Sequence, residues 1–140
     1  MNLSLVIITP QKVVLEDEAD EIIAPTTTGQ IAILPNHIGL LTKIEPGELI
    51  IKKGKTIDSF AITGGILEVS QNKVTVLADY AVHAQEIEIA KAIEAQKRAE
   101  QLMKQAKEKE SEKDFVLAET ELRRALLELK VGQKRRVKFP

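Results

Sequence analysis

The chain has 140 residues, 44% hydrophobic and 29% charged, with a net charge of −1. That leaves room for one ordinary domain, or a small domain with an appendage, and excludes a disordered chain. The near-neutral balance and 3% aromatic content point away from nucleic acid, and the absence of cysteine excludes disulfides, thiol nucleophiles and thiolate metal sites.

From Leu3 to Ala78, short apolar and β-branched runs alternate with turn signals. The first, LSLVIIT, reads as a strand ended by Pro10; with no basic leader or small-residue cleavage site around it, it is not expected to be a signal peptide. EDEADE (Glu16–Glu21) reads as a solvated edge or loop, and EIIAP and QIAILP as the next strands. Glu45-Pro46-Gly47-Glu48 fits a type II turn, with Pro46 setting φ and Gly47 taking φ > 0. The lysines of Lys52-Lys53-Gly54-Lys55 read as edge protection. Phe60 and Ile62 share a face, as do Leu67 and Val69; Val74 and Val76 oppose Thr75 and Leu77. Gly64-Gly65 reads as a turn, not a phosphate cradle, because no helix follows it. Residues 1–84 are therefore expected to form an antiparallel β-sandwich or barrel.

From Glu86 the period becomes helical. Ala92, Ala95, Ala99, Leu102 and Ala106 are spaced 3, 4, 3, 4, and so are Phe115, Ala118, Leu122, Ala125 and Leu129. Between them lies EKESEKD, where either Ser111 or Asp114 is placed to cap the second helix. Residues 85–140 thus form an antiparallel two-helix hairpin, and the whole is an α+β chain. The alanine seam buries little apolar area, so either the hairpin is a static appendage or it exchanges between arrangements. Residues 1–84 carry net charge −4 and residues 85–140 carry +3. The tail Lys134-Arg135-Arg136-Val137-Lys138-Phe139 is either a frayed end or an arm for an acidic surface.

Chemistry is not legible. His37 and His83 stand alone, no nucleophile-elbow or P-loop pattern occurs, and the carboxylates lie on solvated faces. No catalytic residue, metal site or cofactor is expected. No stretch approaches the roughly 20 apolar residues of a membrane span.

Four blocks, in order, carry a resemblance: LVIITPQKVVLEDEADEIIAPTTTGQIAILPNH, ITGGILEVSQNKVTVLADYA, RAEQL and DFVLAETELRRALLEL. Together they resemble the epsilon subunit of F-type ATP synthases over nearly the whole chain. The resemblance implies a non-catalytic rotary-stalk subunit of the proton-translocating complex, peripheral to the cytoplasmic face of the bacterial cell membrane (or the stromal face of the thylakoid). Its implied partners are the gamma subunit and the c-subunit ring, with the alpha and beta subunits when the hairpin extends to inhibit ATP hydrolysis.

The resemblance assigns Pro35, Asn36 and His37 to a loop facing the c ring, although a histidine satisfying its own turn fits the residues as well. It assigns inhibitory contacts to Arg123, Arg124, Lys130, Lys134, Arg135 and Arg136. ATP is a weak regulatory ligand at most. Glu88 and Lys91 stand where ATP-binding relatives have Asp and Arg, Arg98 and Arg124 match further basic positions, and Glu128 replaces another arginine. Two rivals differ in class: a hairpin factor acting in a polymerase channel, disfavoured by the mixed charge of the EKESEKD tip, and a free nucleotide sensor.

Overall fold

The structure is a computed structural model that describes residues 2–137, with side chains as far as Gln133. It divides into two compact units, residues 1–83 and 84–140.

Among the described residues the first unit holds ten strands: β1 (Leu3–Ile8), β2 (Val13–Ala19), β3 (Glu21–Thr26), β4 (Gly29–Ile33), β5 (Leu40–Ile44), β6 (Gly47–Lys53), β7 (Thr56–Ile62), β8 (Gly65–Ser70), β9 (Lys73–Ala78) and β10 (Ala81–His83). Their order is β10-β7-β6-β3-β5-β8-β9-β1-β2, with β4 paired to β3 off that path. All pairs are antiparallel except β1 with β9. Period-2 alternation drives the folding-over. Leu3, Leu5 and Ile7 of β1, Ile22 and Ala24 of β3, Leu49 and Ile51 of β6, Leu67 and Val69 of β8, and Val74 and Val76 of β9 all enter one core with Ile33, Ile44, Phe60 and Ile62. Each fully buried Leu, Ile or Val contributes about 1.5–3 kcal/mol relative to exposure. No buried side-chain nitrogen or oxygen among the described residues lacks a hydrogen-bond partner.

Several local readings change. Gly47 has no left-handed φ, so Glu45–Glu48 is not a type II turn. Gly47 instead opens β6, where a β-carbon would press to 3.0 Å from the Pro25 ring. Gly65 is not a turn residue either: it begins β8 beneath the β9 backbone. The acidic run splits between edge strand β2 and the start of β3. The lysines opposite do more than guard an edge. Lys53 Nζ donates to Asp17 Oδ1 at 2.8 Å, Gly54 N–H donates to Asp20 Oδ2 at 2.6 Å, and Lys52 meets Glu21 at 3.4 Å. The β6–β7 turn thereby clasps the far edge strand. At the other edge, His83 Nε2 lies 2.5 Å from Asp58 Oδ1, and its ring stands edge-on to Phe60.

The second unit opens with a 3₁₀ turn at Ala84–Glu86, then α1 (Ile89–Glu108) and α2 (Glu112–Val137). The seam holds Ala92, Ala99 and Ala106 against Ala118, Ala125 and Leu129, all buried. Leu102, expected in that seam, is 41% exposed. The alanines draw the backbones close, which leaves the larger side chain at the margin, where it lines a shallow groove with Leu117. The junction is compact. Ser111 N–H reaches the Ala106 carbonyl at 2.9 Å and Glu110 N–H the Lys107 carbonyl at 3.2 Å, with Glu110 left-handed at φ 54°: a Schellman ending. Ser111 then caps α2, its Oγ accepting from the Asp114 N–H at 3.4 Å, so of the two candidates Ser111 is the cap.

Candidate functional site

The loop between β4 and β5 carries the first set of candidates. His37 N–H donates to the Leu34 carbonyl at 3.1 Å, closing a turn with Pro35 second and Asn36 third. Proline supplies the fixed φ, and Asn36, at φ 67°, supplies the left-handed position of a type II turn. Across the sheet, Gln71 and Asn72, at φ 48° and 62°, form the β8–β9 turn. Two positive central φ values mark it as type I′, which matches the twist of a hairpin. The two turns are joined. Asn36 N–H donates to Asn72 Oδ1 at 2.6 Å, Asn72 Nδ2 donates to Asn36 Oδ1 at 3.4 Å, and the Asn72 carbonyl accepts from Ser4 N–H at 2.8 Å. His37 Nδ1 donates to the Ile38 carbonyl at 2.7 Å, so one ring nitrogen is satisfied by its own loop while Nε2 takes no part in that bond. Flanking apolar side chains stand out: Leu34 is 52% and Ile38 81% exposed.

At the other end of the β8–β9 hairpin from the loop lies a feature the sequence reading did not single out. The pairing register aligns Lys43, Ile66, Leu77, Ile8 and Val13 in one row across β5, β8, β9, β1 and β2. Because Leu67, Val69, Val74 and Val76 point inward, this row faces out. Ile66, Leu77 and Val13 are each about half exposed, and Leu41 in the adjoining row is exposed. Alternation already placed Leu77 opposite the core; the adjacency of the strands was the missing information.

The hairpin candidates are less convergent. Glu88 precedes α1 as its N-cap, makes no capping bond, and pairs with Lys91 at 3.2 Å. Lys91 and Arg98, seven residues apart, share one stripe of α1. Arg124 lies on α2, where its Nε is 3.8 Å from Glu128. Arg123 pairs with Glu119 at 2.6 Å, and Lys130 is exposed on the same stripe as Arg123. Lys134, Arg135 and Arg136 fall outside the described side chains. Among the described residues, no group of three His, Asp or Glu is placed to hold a metal ion, and no helix is long and apolar enough to cross a membrane.

Comparison with known proteins gives consistent results. The family description "ATP synthase, Delta/Epsilon chain, beta-sandwich domain" matches residues 2–84, and "ATP synthase, Delta/Epsilon chain, long alpha-helix domain" matches residues 85–133. A curated ATP synthase epsilon chain of Herpetosiphon aurantiacus is 43% identical over 136 residues, covering 97% of this chain and 98% of that protein. One of Dehalococcoides mccartyi is 46% identical over 137 residues, covering 96% and 95%. Among solved structures, a chain of the Euglena gracilis mitochondrial ATP synthase, OSCP/F1/c-ring, shares the fold with TM-score 0.72 at 20% identity, covering 97% of this chain and 81% of its own. A chain of the Tetrahymena thermophila mitochondrial ATP synthase central stalk and c-ring gives TM-score 0.53 at 21% identity, covering 62% and 70%.

Proposed function

The chain belongs to the ATP synthase delta/epsilon chain family, and from that membership we propose that it couples the catalytic head to the membrane-embedded c ring and restrains ATP hydrolysis through its hairpin. It is an accessory subunit, not a catalyst; ATP synthesis and ion transport are the work of the complex it serves.

The observations that carry the coupling role are the exposed apolar row Ile66–Leu77–Ile8–Val13 and, at the opposite end of the β8–β9 hairpin, the pinned Pro35–His37 loop. Apolar side chains in a contiguous outward row lose water contact only when a partner covers them. The gamma subunit is proposed to cover the row, and the c ring to meet the loop. The structural neighbours come from c-ring and central-stalk assemblies, which supports that reading. The second role rests on the alanine seam. Its low apolar burial gives a hairpin whose partners can be exchanged at modest cost, so that it reaches alpha and beta subunits when extended. The site of action is the cytoplasmic face of the membrane, peripherally bound. ATP is at most a weak ligand.

The test is reconstitution in vesicles with and without the chain, and with Ile66→Glu/Leu77→Glu. Loss of chain binding to gamma and of proton pumping in the double variant is the expected result. Unchanged gamma affinity would remove the row from the interface, and unchanged hydrolysis and pumping without the chain would remove both roles.

A further inference from the structure

We infer that Asn72 is the positioning residue of the contact loop: fixed on the β8–β9 turn, its side-chain amide holds Asn36 left-handed and so sets how His37 and Ile38 are presented. The inference rests on the reading of Pro35–His37 as a contact with the rotor.

The two asparagines are 36 residues apart in sequence and meet through a two-point clasp. The stronger point, 2.6 Å, satisfies the Asn36 backbone N–H, which the turn itself leaves without a partner because the turn's own bond uses the His37 N–H. The second point engages the Asn36 side chain, which fixes the amide orientation of both residues: oxygen toward N–H, nitrogen toward oxygen. Asparagine enters the left-handed region more readily than other side chains but still at a cost relative to glycine, and the clasp adds a hold that keeps Asn36 there. That hold is stiff at its base. Asn72 sits in a two-residue type I′ turn, and its carbonyl is tied to β1 through Ser4 N–H at 2.8 Å. Sequence spacing offers no hint of the clasp, because nothing local links position 72 to position 36.

The turn makes the inference testable without unfolding the protein. A type I′ turn accepts glycine readily, so Asn72→Gly keeps the β8–β9 backbone and removes only the amide. Asn72→Asp keeps the oxygen that accepts from Asn36 N–H. In the full-length chain, Asn72→Gly is expected to leave the melting temperature within a few degrees while the Asn36 amide exchanges roughly tenfold faster, the opening of one hydrogen bond. In vesicles carrying the complete complex, Asn72→Gly should lower protons pumped per ATP hydrolysed to the level of a Pro35→Gly/Asn36→Gly/His37→Ser loop, and Asn72→Asp should restore most of the loss. Unchanged Asn36 exchange in Asn72→Gly would overturn the inference. So would faster exchange with normal pumping while the altered loop uncouples, because Asn72 would then be structural only. If the altered loop itself pumps normally, the contact reading falls, and the inference falls with it.

Discussion

Gly65 on β8 runs so close beneath Leu77 of β9 that a β-carbon at position 65 would overlap the Leu77 carbonyl oxygen and lie 2.9 Å from the Ala78 α-carbon. Its φ of 153° is itself hostile to a side chain. The obstacle is backbone in the middle of the sheet and has nowhere to move. Gly65→Ala should therefore destabilise the sandwich by about 3 kcal/mol or more. Gly54→Ala makes the control: its φ is 59°, but no atom lies within 4 Å of the new carbon, so the cost should be about 1 kcal/mol. Urea unfolding of the two variants checks this. Equal costs would mean the close approach at Gly65 does not exist in solution.

The Lys53–Asp17 contact predicts a pH and salt response. The Asp17 carboxyl is held below its ordinary range, chiefly by the hydrogen bond from Lys53 and next by the Glu18 N–H. The Lys53 ammonium is held above its ordinary range by the same hydrogen bond and by the Asp17 charge. A lowered carboxyl contributes stability above its unfolded range and loses it as pH falls through the folded value. A raised ammonium keeps its contribution below the ordinary lysine range and loses it as pH climbs past it. The contact is therefore complete near neutrality and fails at both extremes. It is solvent-exposed, so Asp17→Asn should lower the melting temperature by only about 2 °C at low salt, and by less in high salt. A drop that persists undiminished in high salt would point to packing rather than charge.

Glu110 occupies the left-handed position of the Schellman ending of α1, where glycine is the favoured residue. Glu110→Gly should stabilise the hairpin by about 1 kcal/mol. Ser111→Ala removes the cap of α2 and should cost about 1 kcal/mol. Amide exchange across α1 and α2 measures both. Opposite signs are required, since one substitution relieves strain and the other orphans an N–H.

Much of this was readable in advance, for identifiable reasons. β8 and β9 announce themselves through alternation, β1 and β3 as short apolar runs between breakers, and the two alanine heptads fix both helices. β2 was only half legible, because Glu16, Asp17 and Glu18 read equally as an edge or a loop and the strand proved to be the edge, and β5 was missed because Leu40–Ile44 is squeezed between breakers. Gly47 and Gly65 carry turn chemistry but serve close packing, Gly47 against the Pro25 ring and Gly65 against the β9 backbone, and the type II turn lies at Pro35-Asn36 instead. That distinction depends on which strand passes overhead, a long-range fact. The Asn36–Asn72 clasp and the Lys53–Asp17 contact are likewise non-local. The hairpin's cations were visible as residues, but their helical pairings were not.

Nucleotide binding should be weak. Glu88 is drawn to Lys91 at 3.2 Å, and Arg124 is shared with Glu128 at 3.8 Å, so three of the four candidate groups, Glu88, Lys91 and Arg124, already face opposite charge within their own helix or at its cap. Lysine at 91 also lacks the planar fork that grips phosphate oxygens in pairs. Calorimetry on the intact chain should give millimolar affinity for ATP or none. Glu128→Arg removes a carboxylate and releases Arg124, and should tighten any binding by roughly tenfold, the equivalent of about 1.4 kcal/mol. Micromolar affinity in the unaltered chain would contradict the expectation.

The proposed inhibitory arm faces a competition inside its own helix. Arg123 is 2.6 Å from Glu119, and Arg124 pairs with Glu128, so each must change partners before it can meet an acidic surface of the catalytic head. Exposed pairs of this kind contribute only ~0–1 kcal/mol, which makes the exchange inexpensive and the arm reversible. α2 spans about 39 Å at 1.5 Å per residue over its 26 residues, a long reach for those cations. Removing residues 113–140 should raise ATP hydrolysis by the assembled complex about tenfold if the arm's contacts together supply about 1.4 kcal/mol. Neutralising Arg123, Arg124, Lys130, Lys134, Arg135 and Arg136 together should recover much of that rise, and high salt a part of it. Glu119→Gln should act in the opposite direction: it releases Arg123 for the partner and should deepen inhibition two- to threefold, the yield of roughly half a kcal/mol. Steady-state hydrolysis at two salt concentrations reads all three. A truncated complex no faster than the intact one would reduce the hairpin to a structural element, and Glu119→Gln without effect would show that Arg123 is not among the cations that meet the head.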